Sequence, residues 1–245
     1  MDSGYYAAMT GLVARTQALD TAASNLANAQ TPGYRAEREF FRSVLLGPDA
    51  LDSQLGHVVN NFGLLGGDHL DLSQGALTTT GNPLDLAIEG EGFFQVQTPN
   101  GQRFTRDGGF HRSQGGQLVT QAGEAVLSDT GKYIQLPPGD VTVGEDGVVS
   151  VAGGVVAKVG VFTFPAGTQL TPEGANRYVA PKDVTAQLST KGAVHQGAIE
   201  SANEDVIQGS LDLIVMQRQA EMMQRALIVF HTEFNKTAAE DLPRV

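Results

Sequence analysis

Both ends of this chain carry the same repeat. Near the N-terminus, apolar or small residues at Tyr5, Met9, Leu12, Thr16, Leu19, Ala23 and Leu26 step alternately by four and three. Near the C-terminus, Val206, Gly209, Leu213, Met216, Ala220, Met223, Leu227, Phe230 and Phe234 do the same. Such spacing lines the named residues along one stripe of an α-helix and is the pattern of a coiled-coil seam. Neither helix has a comparable element near it in sequence, so each end is the natural partner of the other. The expected fold is α+β. Paired terminal helices, residues 1–35 and 200–245, would enclose a partly irregular linking segment at 36–83 and a central, mostly antiparallel β domain at 84–199.

The C-terminal helix has a second apolar stripe, Ile207, Leu211, Ile214, Val215, Met222, Ala226 and Val229, broken by Arg218. One stripe can face the other helix; the second needs a further surface. That surface is either the chain's own β domain or a neighbouring copy in an open helical array.

The first helix runs into a turn with its own chemistry. Asn25 and Asn28 stand near the helix end, where an amide can satisfy late carbonyls or orient the turn. Pro32 then fixes φ and Gly33 permits a positive one. At the other end, Ser201 or Asn203 can cap the C-terminal helix, with Glu204 and Asp205 suiting its positive end.

The middle of the chain reads as short strands between tight turns. Thirty glycines, many paired or beside Asp and Asn, supply the turns. Leu84 to Ile88 alternates, Phe93 to Thr98 reads as a strand, and Pro99-Asn100-Gly101 signals a hairpin returning through Gln102 to Arg106. Phe93, Phe94, Phe104 and Phe110 supply core volume, and Arg106-Asp107 offers a charged pair at a strand end. Val155 to Phe164 is the longest β-prone run. Phe40, Phe41, Val44, Leu45 and Leu46 form a short apolar cluster before Pro48, and turns are expected at 60–63 and 64–67.

These segments resemble a known family. Ala23-Ser24-Asn25-Leu26-Ala27-Asn28-Ala29-Gln30-Thr31-Pro32-Gly33-Tyr34-Arg35 is similar to the N-terminal signature of the bacterial flagellar rod and hook proteins, with Asn25, Leu26, Asn28, Pro32, Gly33 and Tyr34 at its centre. Gly81 to Phe94, Phe104 to Phe110 and Gly116 to Thr120 resemble pieces of the same family. Gly197 to Val206 resembles its second signature, departing from it at Ala202 and Glu204; Ala220 stands where a tyrosine is usual. Within the family, the sequence around Leu136 to Gly147 looks more like the proximal rod members than the distal ones, and least like the hook.

The resemblance implies a structural subunit of the flagellar rod, a shaft transmitting torque. Its partners would be copies of itself, other rod proteins and the flagellar export apparatus, and its place the basal body, in the rod crossing the periplasm. The assembly helices would work through Met9, Leu12, Leu19, Leu26, Leu213, Met216, Met223, Leu227 and Phe230. The alternatives are a distal-rod or hook-type axial subunit, or a carbohydrate-binding β module.

Composition agrees with a structural role. With no cysteine among 245 residues, disulfide scaffolding and thiol catalysis are excluded. A net charge of −11 argues against a nucleic-acid surface. No cleavable leader and no apolar run long enough for a membrane span is expected. His57, His69, His111, His195 and His231 are scattered rather than clustered as metal ligands, and no phosphate loop or nucleophile elbow occurs. Neither enzyme activity nor a cofactor is expected.

Overall fold

The structure, a computed structural model, describes residues 2–42, 64–189 and 191–241. Chain order begins with α1 (Asp2–Ala27), β1 (Glu37–Arg42), β2 (Leu64–Leu70) and β3 (Leu77–Thr79). Next come β4 (Leu86–Glu89), β5 (Phe93–Thr98), β6 (Gly101–Thr105), β7 (Phe110–Arg112), β8 (Leu118–Thr120) and β9 (Ala125–Val126). After them follow β10 (Val141–Val143), β11 (Val148–Val151), β12 (Gly154–Lys158), β13 (Val161–Thr163) and β14 (Thr171–Pro172). The last strands are β15 (Arg177–Val179), β16 (Gln187–Leu188), β17 (Ala193–Gln196) and β18 (Ala198–Glu200), and α2 (Val206–Asp241) closes the order.

The chain divides into two compact units. A helical unit takes in α1, β1, β2 as far as His69, and α2; a β unit takes in residues 28–36 and 70–205. The signature turn and residues 70–83 therefore belong to the β unit. The expected cluster at Val44, Leu45 and Leu46, Pro48 after it, the turn at 60–63 and His57 lie outside the described residues, as do the side chains of Tyr5, Phe41, Phe230 and Phe234.

In the helical unit α1 and α2 pack against one another, and β1 pairs with β2. Among the described residues of the 36–83 segment are the strands β1, β2 and β3.

In the β unit the pairings given between strands are antiparallel. The largest sheet runs β14-β15-β6-β5-β9-β8-β7, with β13 pairing β5 and β16. A second sheet holds β10, β11 and β12, while β17 pairs with β4 and β18 with β3. The β5–β6 hairpin closes at Thr98 and Gly101, leaving Pro99-Asn100 as a two-residue loop. Successive strand residues point to opposite faces, so the adjacent Phe93 and Phe94 enter different cores. Phe94 joins Leu86, Ile88, Val96, Phe110 and Leu118, its ring edge-on to Phe110 at 5.1 Å. Phe93 joins Phe104, Phe162, Leu170 and Tyr178.

The β-prone run from Val155 to Phe164 is divided rather than continuous. It splits into β12 and β13, which belong to different sheets. The break falls at Val159-Gly160, where Val159 bridges to Ser128 and a Cβ on Gly160 would lie 2.4 Å from the Phe162 ring.

Candidate functional site

Two sets of residues bear on function, one in each unit. In the helical unit, the less exposed side of α2 carries the residues of the first stripe. Gly209 and Ala220 are buried, and Leu213, Met216, Met223 and Leu227, at the same three-four spacing, are half-buried.

On α1 the buried line is Gly11, Ala14, Ala18 and Asn25, one residue earlier than the expected Leu12, Leu19 and Leu26. Those three leucines are half-buried flanks, while Met9, Thr16 and Ala23 are exposed. One residue is about 100° of rotation on a helix. The small side chains therefore occupy the centre of the packed face and the leucines its margins. Asn25 is accommodated there because its amide takes over a backbone role. Its Nδ2 donates to the Glu37 carbonyl at 2.8 Å, and its Oδ1 accepts the Glu37 N–H at 3.0 Å, fixing the start of β1. Nearby, Thr21 Oγ1 donates to Glu39 Oε1 at 2.6 Å. Burial, followed by the nearby Asp68 and Glu39 charges, pushes the Glu37 carboxyl above its ordinary value.

The second stripe of α2 is exposed except at Ala226. Ile207 is 74% exposed, Met222 59% and Val229 60%, with Leu211, Ile214 and Val215 near half. Val13 on α1 and Ile228 on α2 are exposed as well. Single exposed apolar residues are ordinary; here six recur along one side of α2 over several turns, interrupted by the exposed Arg218.

In the β unit, the signature turn is built into the core. Gly33 has φ +68°, and a Cβ there would lie 2.3 Å from the backbone of both Arg106 and Asp107. Its N–H donates to the Glu200 carbonyl at 2.7 Å, and the Pro32 carbonyl accepts Asn176 Nδ2 at 2.7 Å. Asn28 does not share Asn25's task. It stands past the helix, where its carbonyl accepts the Thr31 N–H at 2.9 Å. Tyr34 is half-buried, its N–H donating to the Thr31 carbonyl at 3.2 Å.

Immediately after the turn comes a buried charged node. Arg35 is 1% exposed, Arg106 3% and Glu200 0%. Glu200 Oε1 lies 2.8 Å from Arg35 Nη2 and accepts the Gly75 N–H at 2.8 Å; Oε2 accepts Arg106 Nη1 at 2.9 Å. Arg106 is thus paired with Glu200, not with its neighbour Asp107, whose Oδ1 instead accepts the Gly109 N–H. Side chains adjacent on a strand end diverge, so sequence adjacency disfavours that pair. Arg106 also donates to the carbonyls of Ile88 at 3.1 Å and Gly90 at 2.5 Å, and its guanidinium lies 5.4 Å over the Phe93 ring. Arg35 Nη1 donates to the Ser73 carbonyl at 2.6 Å. Burial pulls the Arg106 guanidinium below its ordinary value; the Glu200 charge opposes this and the Arg35 charge adds to it.

The residues expected to cap α2 are used elsewhere. Asn203 Oδ1 accepts the Ala36 N–H at 2.7 Å and Nδ2 donates to the Asp71 carbonyl at 2.7 Å, while Ser201 Oγ pairs with Thr78 Oγ1. Sequence reasoning missed Glu200 altogether. The signal available was an acidic residue closing the otherwise apolar run Ala198-Ile199.

Among the described residues there is no group of three or more acidic or histidine side chains that could hold a metal ion, and no helix is long and apolar enough to cross a membrane.

Comparison with known proteins identifies related chains. Residues 6–35 match the family model described as flagella basal body rod protein, and residues 87–151 match that of the flagellar hook protein FlgE/F/G D1 domain. The chain is 34% identical to the flagellar basal-body rod protein FlgF of Caulobacter vibrioides, with 100% of each chain covered. It is 32% identical to FlgF of Mesorhizobium japonicum over 90% of each. It is 30% identical to the flagellar basal-body rod protein FlgG of Buchnera aphidicola, over 89% of this chain and 92% of that one.

Proposed function

Since the chain belongs to the flagellar basal-body rod proteins and is a structural subunit of the rod, we propose that it assembles through the exposed stripe of α2 while α1 and α2 pair as a coiled-coil-like core. Leu213, Met216, Met223 and Leu227, with Phe230 continuing their spacing, supply the inner seam on α2. Leu12, Leu19 and Leu26 flank the small residues of α1, and Met9 adds to the outward surface.

The observation that carries this reading is the line Ile207, Leu211, Ile214, Val215, Met222 and Val229, exposed along α2. Burying it against neighbours would contribute on the order of 10 kcal/mol per subunit before the cost of association. A non-closing, head-to-tail arrangement gives each copy the same surroundings and extends into a shaft. The neighbours are copies of this chain and other rod proteins, and the shaft transmits torque across the periplasm. Delivery by the flagellar export apparatus fits this placement. The sequence around Leu136 to Gly147 favours the proximal rod.

The absence of native cysteine makes the test direct. Single cysteines placed at Ile214 and Met222 in cells should cross-link to neighbouring rod subunits in purified basal bodies, whereas one at Asp129, on a turn of the β unit, serves as the reference position. Cross-linking no greater than at the reference position, together with normal motility of an Ile214→Asp strain, would overturn the proposal.

A further inference from the structure

The charged node holds two guanidiniums and one carboxylate, all nearly inaccessible to water. Breaking such a group by removing one partner costs more than forming it contributes, because the charges left behind remain buried. Here the imbalance gives the three residues unequal roles. Loss of either arginine leaves a neutral pair. Loss of the Glu200 charge leaves Arg35 and Arg106 as buried like charges, with carbonyls and the Phe93 face as their remaining partners. Arg35 Nη2, although 2.8 Å from Glu200, lacks a well-aligned hydrogen bond, so its attraction is chiefly coulombic.

Further hydrogen bonds around the node join residues 33–36, 73–76 and 200–203. The Gly33 N–H reaches the Glu200 carbonyl at 2.7 Å, and the Ser201 N–H reaches the Ala76 carbonyl at 2.8 Å. The Asn203 N–H meets the Tyr34 carbonyl at 3.3 Å, and the Ala36 N–H meets Asn203 Oδ1 at 2.7 Å. Glu200 thus touches residues 33–35 through its carbonyl and one oxygen, residue 75 through that same oxygen, and residue 106 through the other.

We propose that Glu200 is the keystone of one cooperative closure unit, in which residues 33–36, 73–76 and 200–203 dock and release together while the core around β5, β8 and β9 stays closed. The signature turn is then held in place only once β18, far along the chain, has arrived. Local opening of this kind is a sub-global unfolding event with its own free energy.

Hydrogen exchange on the full chain tests this without any substitution. Under increasing denaturant, the amides of Gly33, Ala36, Gly75 and Ser201 should converge on one opening isotherm, distinct from that of Leu118 and Leu127. Separate isotherms for the four, or merger with the core amides, would overturn the proposal. A second arm reads the charge. Glu200→Gln should speed exchange of all four amides tenfold or more, and adding Arg35→Met should slow it again by relieving the like-charge pair. Further acceleration in the double variant would show additive loss of contacts and sink the keystone role. If Glu200→Gln does not fold, the isotherms of the unsubstituted chain still decide the matter.

Discussion

The two units place side-chain size in opposite order. In the β unit the largest apolar groups are innermost: Phe94, Phe110, Leu86 and Ile88 are almost inaccessible. In the helical unit the buried positions on the described helices are Gly11, Ala14, Ala18, Asn25, Gly209 and Ala220, none of them a large apolar residue, while Met9, Val13, Ile207, Leu211, Ile214 and Met222 are exposed. A chain folding for itself gains most by enclosing its large apolar groups. The β unit does so and even encloses a buried charged node. The helical unit brings two helices together through small residues and leaves its largest apolar area unused, which is the arrangement expected of a surface completed by other copies.

The contrast can be broken at its strongest point first. Gly33→Ala places a methyl against the backbone of Arg106 and Asp107 at a positive φ. It should cost the β unit about 2–4 kcal/mol, read as a lowered denaturation midpoint. A loss below that range would mean the turn can yield and the β unit is less tightly closed than described. Leu213→Asp puts a charge into the half-buried seam of α2 and should remove about 2–3 kcal/mol from the helical unit. Loss of helical circular dichroism at lower denaturant would register it; an unchanged transition would place Leu213 outside the inner face.

A smaller effect comes from pH. The Glu37 carboxyl is held above its ordinary value by burial and then by the Asp68 and Glu39 charges, and that of Glu39 is raised chiefly by burial. The folded state therefore binds protons more tightly than the unfolded one. The associated stability is fully present below the ordinary glutamate value and is lost as pH rises through the raised folded values. Protection of β1 amides, corrected for intrinsic exchange, should fall across that window, and Glu37→Gln should flatten the fall. A rise with pH would reverse the assigned sign.

The smallest stability effect sharpens the comparison most. Ile214→Asp lies on the exposed stripe and should change the unfolding free energy of the isolated chain by no more than about 0.5 kcal/mol. The same substitution should abolish incorporation into basal bodies, scored by motility and by subunit content of purified rods. Lost stability with retained incorporation would turn the stripe into part of the chain's own core.

Much of this was legible before any coordinates. The α2 spacing fell on the packed face because Leu213, Met216, Met223 and Leu227 carry an apolar signal at helical period. The buried face of α1 is harder to see for the complementary reason: glycine and alanine weigh little in a count of apolar residues, yet they occupy the centre of that face. The Pro99-Asn100-Gly101 hairpin was legible because its turn chemistry is local. The partition of Val155 to Phe164 between two sheets was not, since it depends on where Ser128 and Phe162 lie. Glu200 was invisible for the same reason: its partners come from segments far apart in the sequence, and no local pattern announces a long-range ion pair.

The chain passes between its two units four times, after Ala27, Ala36, His69 and Asp205. Four lengths of polypeptide therefore join the two units, the plies of one covalent link. On the β side, these plies lead into segments joined at one knot: residues 28–36, 70–76 and 200–205 meet through Arg35, Ser73, Gly75, Glu200 and Asn203. Loosening any one of these segments therefore withdraws hydrogen-bond or ionic partners from the others.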